Sequence, residues 1–113
     1  PIRSYPDGMD CQVYSIEALR SVRAIPVVHN HVGWNIPQHP GIFNCSCIKA
    51  GPLYYHPDIR LTLDTKEDLE LLRRVTEGCG PDPTLKDYLN ILTLNPDWLR
   101  INQNVRTKLP EEG

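Results

Sequence analysis

Asp64 closes the alternating run Ile59-Arg60-Leu61-Thr62-Leu63 and stands directly before Thr65, whose hydroxyl can cap a helix while Asp68 reaches back to it. A carboxylate at the carboxyl end of a strand lies where open α/β sheets bind their ligands. There it can hold Mg2+ against a substrate phosphate. Nucleotidyl transfer from a triphosphate wants such a group, because the metal neutralises the charge that develops. The same position also suits an acid that only favours the positive end of a helix dipole. Both readings of Asp64 follow from its place in the sequence.

The other reactive residue types are less organised. Cys45 and Cys47 lie two apart in the apolar stretch 43–48 and would share one face of a strand, so buried structural thiols are expected there. A zinc site would have to join Cys11, Cys45, Cys47 or Cys79 to His29, His31, His39 or His56. Neither Cys-x-Cys nor His-x-His matches the pair spacing of structural zinc motifs. Gly78-Cys79-Gly80 follows a helical stretch and reads as its stop rather than as a phosphate loop, and no P-loop or Rossmann glycine pattern is present. Thiols without a disulfide framework suit a reducing, cytoplasmic setting.

The elements that would position these groups alternate between strand and helix. Residues 11–14 read as a short strand, and Ser15 can cap a helix through Ile16, Leu19 and Val22. From 24 to 41 the chain is rich in Pro, His and Asn, and Pro26, Pro37 and Pro40 forbid a long regular element; a loop with a short turn around 31–36 is expected. Residues 43–50 read as a second strand and 59–63 as a third. Thr65 then starts a helix whose apolar face is Leu69, Leu72 and Val75, ended by Gly78 and Gly80. Thr84 and Asp87 repeat the capping pattern ahead of Leu85, Tyr88, Leu89 and Leu92. One domain over residues 1–106 is expected, with 107–113 a frayed tail.

Composition excludes two classes of partner. Twelve basic and fourteen acidic residues leave a net charge of -2, so no basic field draws the chain onto nucleic acid. No apolar run approaches the roughly 20 residues of a membrane span. The opening at Pro1 shows no basic stretch followed by an apolar one, and the sequence reads as a piece of a longer chain.

Three blocks carry a family resemblance. Tyr5-Pro6-Asp7-Gly8-Met9-Asp10-Cys11-Gln12-Val13-Tyr14-Ser15 resembles the Pro-x-Gly-Leu-Asp-x-Glu-x-Phe-Ser segment of spore-coat polysaccharide biosynthesis cytidylyltransferases, relatives of the acylneuraminate and Kdo cytidylyltransferases. His29-Asn30-His31-Val32 is similar to their Arg-Glu-His-Val segment. Ile59-Arg60-Leu61-Thr62-Leu63-Asp64-Thr65-Lys66-Glu67-Asp68-Leu69 is close to Arg-Trp-Thr-Leu-Asp-Thr-Pro-Glu-Asp-Leu and is the most specific of the three.

The resemblance implies the C-terminal half of a nucleotide-diphospho-sugar transferase fold, a three-layer α/β/α domain. It also implies synthesis of CMP-activated sugars for surface polysaccharide, in the cytoplasm. Within that family Asp64 corresponds to a magnesium ligand, while Asp10, Gln12 and His31 fall at the sugar end of the site. The chain departs from the pattern at Gln12 and Asn30, where the family carries acids, and at Gly33-Trp34-Asn35, where it carries Thr-Pro-Tyr. The Gly-rich loop that holds the triphosphate has no counterpart. The expected function is thus the sugar-side portion of a CMP-sugar synthesising enzyme, inactive alone, taking nucleotide and acidic sugar when the other half is supplied. A non-catalytic binding or dimerisation module of the same descent, or part of a glycosyltransferase, are the alternatives. Apolar surface left uncovered by absent strands leads us to expect a homo-oligomer.

Overall fold

The computed structural model describes residues 2–26 and 33–107. The chain divides into two compact units, one made of Pro1–Asp10 and Ile48–Val105, the other of Cys11–Cys47 and Arg106–Gly113. Among the described residues no helix is long and apolar enough to cross a membrane.

In the first unit, Thr65 caps α2 (Lys66–Gly78): its hydroxyl accepts from the Asp68 amide, and the Asp68 carboxylate returns to the Thr65 amide. Thr84 and Asp87 do the same for α3 (Leu85–Leu94). Each box satisfies amides that a helix start otherwise leaves without partners. Leu71 and Val75 of α2 meet Leu89 and Leu92 of α3 in a core completed by Ile59 and Leu61. Packing at the C-terminal end of α2 is tight enough that a Cβ on Gly78 would come within 2.9 Å of the Ile91 side chain. A 3-10 turn, Pro96–Arg100, follows α3.

Against the core lies the extended segment 59–63, and onto its backbone comes the N-terminal segment. The Asp7 amide donates to the Ile59 carbonyl at 2.8 Å and the Leu61 amide to the Asp7 carbonyl at 2.7 Å, a single parallel bridge between Asp7 and Arg60. Gly8 makes that approach possible. Its φ is +96°, and a Cβ there would stand 2.7 Å from the Leu61 carbonyl carbon.

In the second unit, Ser15 caps α1 (Ile16–Ser21) through a 3.1 Å bond from the Ala18 amide, as its position suggests, and a 3-10 turn continues through Val22–Ala24. Residues 33–43 are a succession of turns: the amides of Ile36, His39 and Ile42 donate to the carbonyls of Gly33, Ile36 and His39. Among its described residues Asn35, Ile36 and Phe43 are buried.

Three expectations need correction. Residues 11–14 and 43–50 form no strand, and 59–63 contributes only the one bridge, because no neighbouring backbone among the described residues supplies a ladder. Cys45 and Cys47 are therefore exposed rather than buried, as is Cys11, while Cys79 is half-buried against the helical core. The buried face of α2 is Asp68, Leu71 and Val75 with Leu72 at its edge, whereas Leu69 points outward; the polar Asp68 belongs to the face, which displaces the apolar stripe. The tail at 107–113 lies, apart from Thr107, outside the described residues.

Candidate functional site

Arg60 is the centre of an extended polar network in the first unit. Alternation along 59–63 buries Ile59 and Leu61, yet Arg60 between them is 9% exposed at its side chain. Its guanidinium meets Asp68 in a two-pronged pair, Nε to Oδ1 at 2.9 Å and Nη2 to Oδ2 at 2.9 Å. Asp68 is fully buried, and its oxygens also accept from Asn102 Nδ2 at 2.9 Å and from the backbone amides of Asp64 and Thr65 at 3.0 and 3.2 Å. Asn102 spends its amide group twice, donating to the Arg60 carbonyl at 3.1 Å as well. Thus it serves Arg60 as a neighbouring strand would.

This satisfaction decides the charge state. Burial alone would raise the Asp68 carboxyl, but the bonds from Arg60, Asn102 and the Asp64 amide prevail and hold it far below the usual carboxylate range. The bond to Asp68 raises Arg60 above its ordinary value against the opposing effect of burial, and the bond to Asp64 adds to it. Both partners stay ionised, as a buried pair must if it is not to be destabilising.

From this buried pair the network runs outward in two directions. Arg60 Nη2 reaches Asp64 Oδ2 at 2.8 Å, and the Asp64 side chain is 43% exposed. On the other side Arg60 Nη1 lies 3.7 Å from Asp7 Oδ2; Arg3 then bridges Asp7 Oδ1 at 3.0 Å and Asp10 Oδ2 at 2.7 Å. Two guanidiniums thereby face four carboxylates, and the outer carboxylates, Asp64 and Asp10, are the half-exposed ones.

Asp64 and Asp10, both singled out by the sequence, thus end one network within one unit. Gln12 lies in the other unit, where it is exposed and its Oε1 accepts from the Tyr14 hydroxyl; burial raises the Tyr14 phenol, with the nearby Cys45 acting in the same direction. His31 lies outside the described residues. Sequence reasoning missed Arg3, Asp7, Arg60 and Asn102. Arg60 had one signal: a cation at an inward-facing stretch of an apolar run, eight residues before a capping acid, needs a buried partner.

Among the described residues no three His, Cys, Asp or Glu side chains gather to hold a metal ion. Asp64 offers a single half-exposed carboxylate with one oxygen on Arg60. A single carboxylate already bonded to a guanidinium is no metal site by itself; Mg2+ commonly takes one or two carboxylates and completes its shell with phosphate oxygens and water.

The chain is 28% identical over 102 residues to the spore coat polysaccharide biosynthesis protein SpsF of Bacillus subtilis (strain 168), a match covering 85% of this chain. The chain spans 42% of the length of this curated relative. No family model matches the sequence, and no solved structure matches it.

Proposed function

We propose that this chain is the sugar-side, C-terminal portion of a nucleotidyltransferase that makes CMP-activated sugars for surface polysaccharide, and that it works only together with a nucleotide-binding half. The observation that carries the reading is the placement of Asp64. It stands half-exposed at the start of α2, at the outer end of a network whose inner end is buried and satisfied. The similarity to a polysaccharide biosynthesis protein supports the process; in this reading 59–63, which carries the parallel bridge to Asp7, would be one strand of the α/β/α arrangement.

In this reading Asp64 would be the protein's ligand to Mg2+, with triphosphate oxygens completing the shell. Bound there, the metal would neutralise charge developing on the transferred phosphoryl group. Asp10, tied to the same network through Arg3 and Asp7, would face the sugar. Arg60 and Asp68 contribute a rigid, ionised base beneath the exposed carboxylate.

A second reading, a non-catalytic assembly module, is favoured by the apolar side chains that remain outside the core of the first unit: Ile2, Ile48 and Leu63 are 89%, 83% and 59% exposed. In that case the chain pairs with a copy of itself.

The test is reconstitution. The chain is combined with the N-terminal half of a related cytidylyltransferase, and CMP-sugar formation from CTP is measured for the wild type and for Asp64→Asn. The isolated chain should give no turnover, and the wild-type pair should turn over while Asp64→Asn loses activity with its fold intact. Equal synthesis by both pairs would overturn the metal role. An inactive wild-type pair, with the isolated chain sedimenting as a dimer, would favour the assembly module.

A further inference from the structure

We propose that Arg60 is a positioning residue for Asp64: the guanidinium, fixed by Asp68, which Asn102 holds in turn, keeps the half-exposed Asp64 carboxylate in one orientation. The inference deepens the nucleotidyltransferase reading, on which it rests for what Asp64 does. It has its own measurable content in the free chain.

Arg60 is immobilised by more contacts than the buried pair needs. Nε and Nη2 both engage Asp68, which is itself fixed by two backbone amides and by Asn102. Such a planar, two-pronged pair sets the direction of the whole guanidinium, not just its charge. Nη2 then has a second acceptor in Asp64 Oδ2 at 2.8 Å. The Asp64 backbone is held as well, because its amide donates to the same Asp68 carboxylate. Main chain and side chain of Asp64 are therefore anchored on one buried acid, directly and through Arg60. An exposed aspartate normally samples several rotamers, and a ligand or substrate has to fix one of them on binding. Here that ordering is supplied by the fold, while the side chain remains 43% exposed to what approaches.

A lysine at position 60 would keep the charge and lose the fork. The full chain, labelled with 13C and 15N, reports the Asp64 χ1 angle through three-bond couplings from Cγ to the backbone nitrogen and carbonyl carbon. We expect one rotamer in the wild type and an average over rotamers in Arg60→Lys, with the amide spectrum of α2 and α3 retained. A second arm serves should Arg60→Lys fail to fold. Asp64→Asn removes the charged acceptor while keeping the shape, and should speed solvent exchange of the Arg60 Nη protons several-fold while the Nε proton, held by Asp68, changes little.

Averaged couplings in the wild type would overturn the proposal. So would unchanged couplings in folded Arg60→Lys, or unchanged Nη exchange in Asp64→Asn, since an arginine that only neutralises Asp68 would leave Asp64 indifferent. Failure here and failure of the parent reading are separable. A reconstituted pair indifferent to Asp64→Asn retires the nucleotidyl role and leaves an ordered Asp64 standing, whereas averaged couplings beside Asp64-dependent synthesis retire only the positioning.

Discussion

The N-termini of α2 and α3 carry the same device with different consequences. Both begin Thr-x-x-Asp, and in both the threonine hydroxyl and the aspartate carboxylate exchange bonds with each other's amides. At α3 that is all: Asp87 is exposed, and its bonds to the Thr84 amide and hydroxyl lower its carboxyl below the ordinary value. At α2 the corresponding Asp68 is fully buried and accepts from Arg60 and Asn102 as well. One motif is a local cap, and the other has become the base of a candidate site. The difference lies in what packs over the carboxylate. When an arginine from an extended segment covers it, water is excluded and the acid must find every partner inside the protein.

The sharpest way to break the comparison is to delete both acids in turn. Asp68→Ala leaves the Arg60 guanidinium buried without its principal counter-ion and should cost about 3–5 kcal/mol. Denaturant melts at neutral pH should show this loss, against a far smaller one for Asp87→Ala, which uncovers nothing. Similar losses for the two variants would mean that Asp68 is a cap and no more.

Acid should separate the two ends next. The folded-state carboxyl of Asp68 lies below its unfolded value of about 3.9, so its stabilisation is complete above that pH. It is lost as pH falls from about 4 toward the folded value. Asp87 shifts in the same direction. Because Asp68 is buried, most of the acid dependence should belong to it. Denaturation midpoints at pH 7, 4 and 3 should fall steeply for the wild type and for Asp87→Asn, and less steeply for Asp68→Asn, which starts lower.

The threonines sharpen the comparison with a smaller effect. Thr65→Ala and Thr84→Ala each remove one hydroxyl acceptor and should each cost about 1 kcal/mol. The loss at Thr84 should be no smaller than that at Thr65, since both hydroxyls accept from the aspartate amide and the Thr84 hydroxyl also donates to Asp87 at 2.9 Å. A clearly larger cost at Thr65 would show that its hydroxyl also keeps Asp68 aligned with Arg60.

Smallest in stability is Asp64→Asn. Asparagine keeps the side-chain shape ahead of the helix, so melts should shift by no more than about 1 kcal/mol. Its effect belongs to the orientation of Arg60 and to the activity of the reconstituted pair.

How much of this was legible varies by helix for a physical reason. The face of α3 is spelled by Leu85, Tyr88, Leu89 and Leu92, all apolar, and the structure packs that face. For α2 the apolar residues suggest Leu69, Leu72 and Val75, yet the true face has Asp68 in it and turns Leu69 outward. Periodicity counts apolar residues, so a buried carboxylate is read as surface and the stripe is misplaced. The strands show the opposite failure. Residues 11–14 and 43–50 have strand-forming composition, but a strand is a pairing between segments, and propensity does not supply the partner.

Local bonding, then, was determined by the sequence itself: the three capped helix starts at Ser15, Thr65 and Thr84, the turn-rich stretch after Gly33, and the candidacy of Asp10 and Asp64 as carboxylates beside glycine and helix. These depend on residues within a few positions of one another. The tertiary structure alone decided that Arg60 meets Asp68, that Asn102 closes over both, and that Arg3 and Asp7 carry the network on to Asp10. Asn102 stands 34 residues from its acid. No local pattern marks such a partner, because the cost of a buried charge is met by whichever donor the packed chain brings to it.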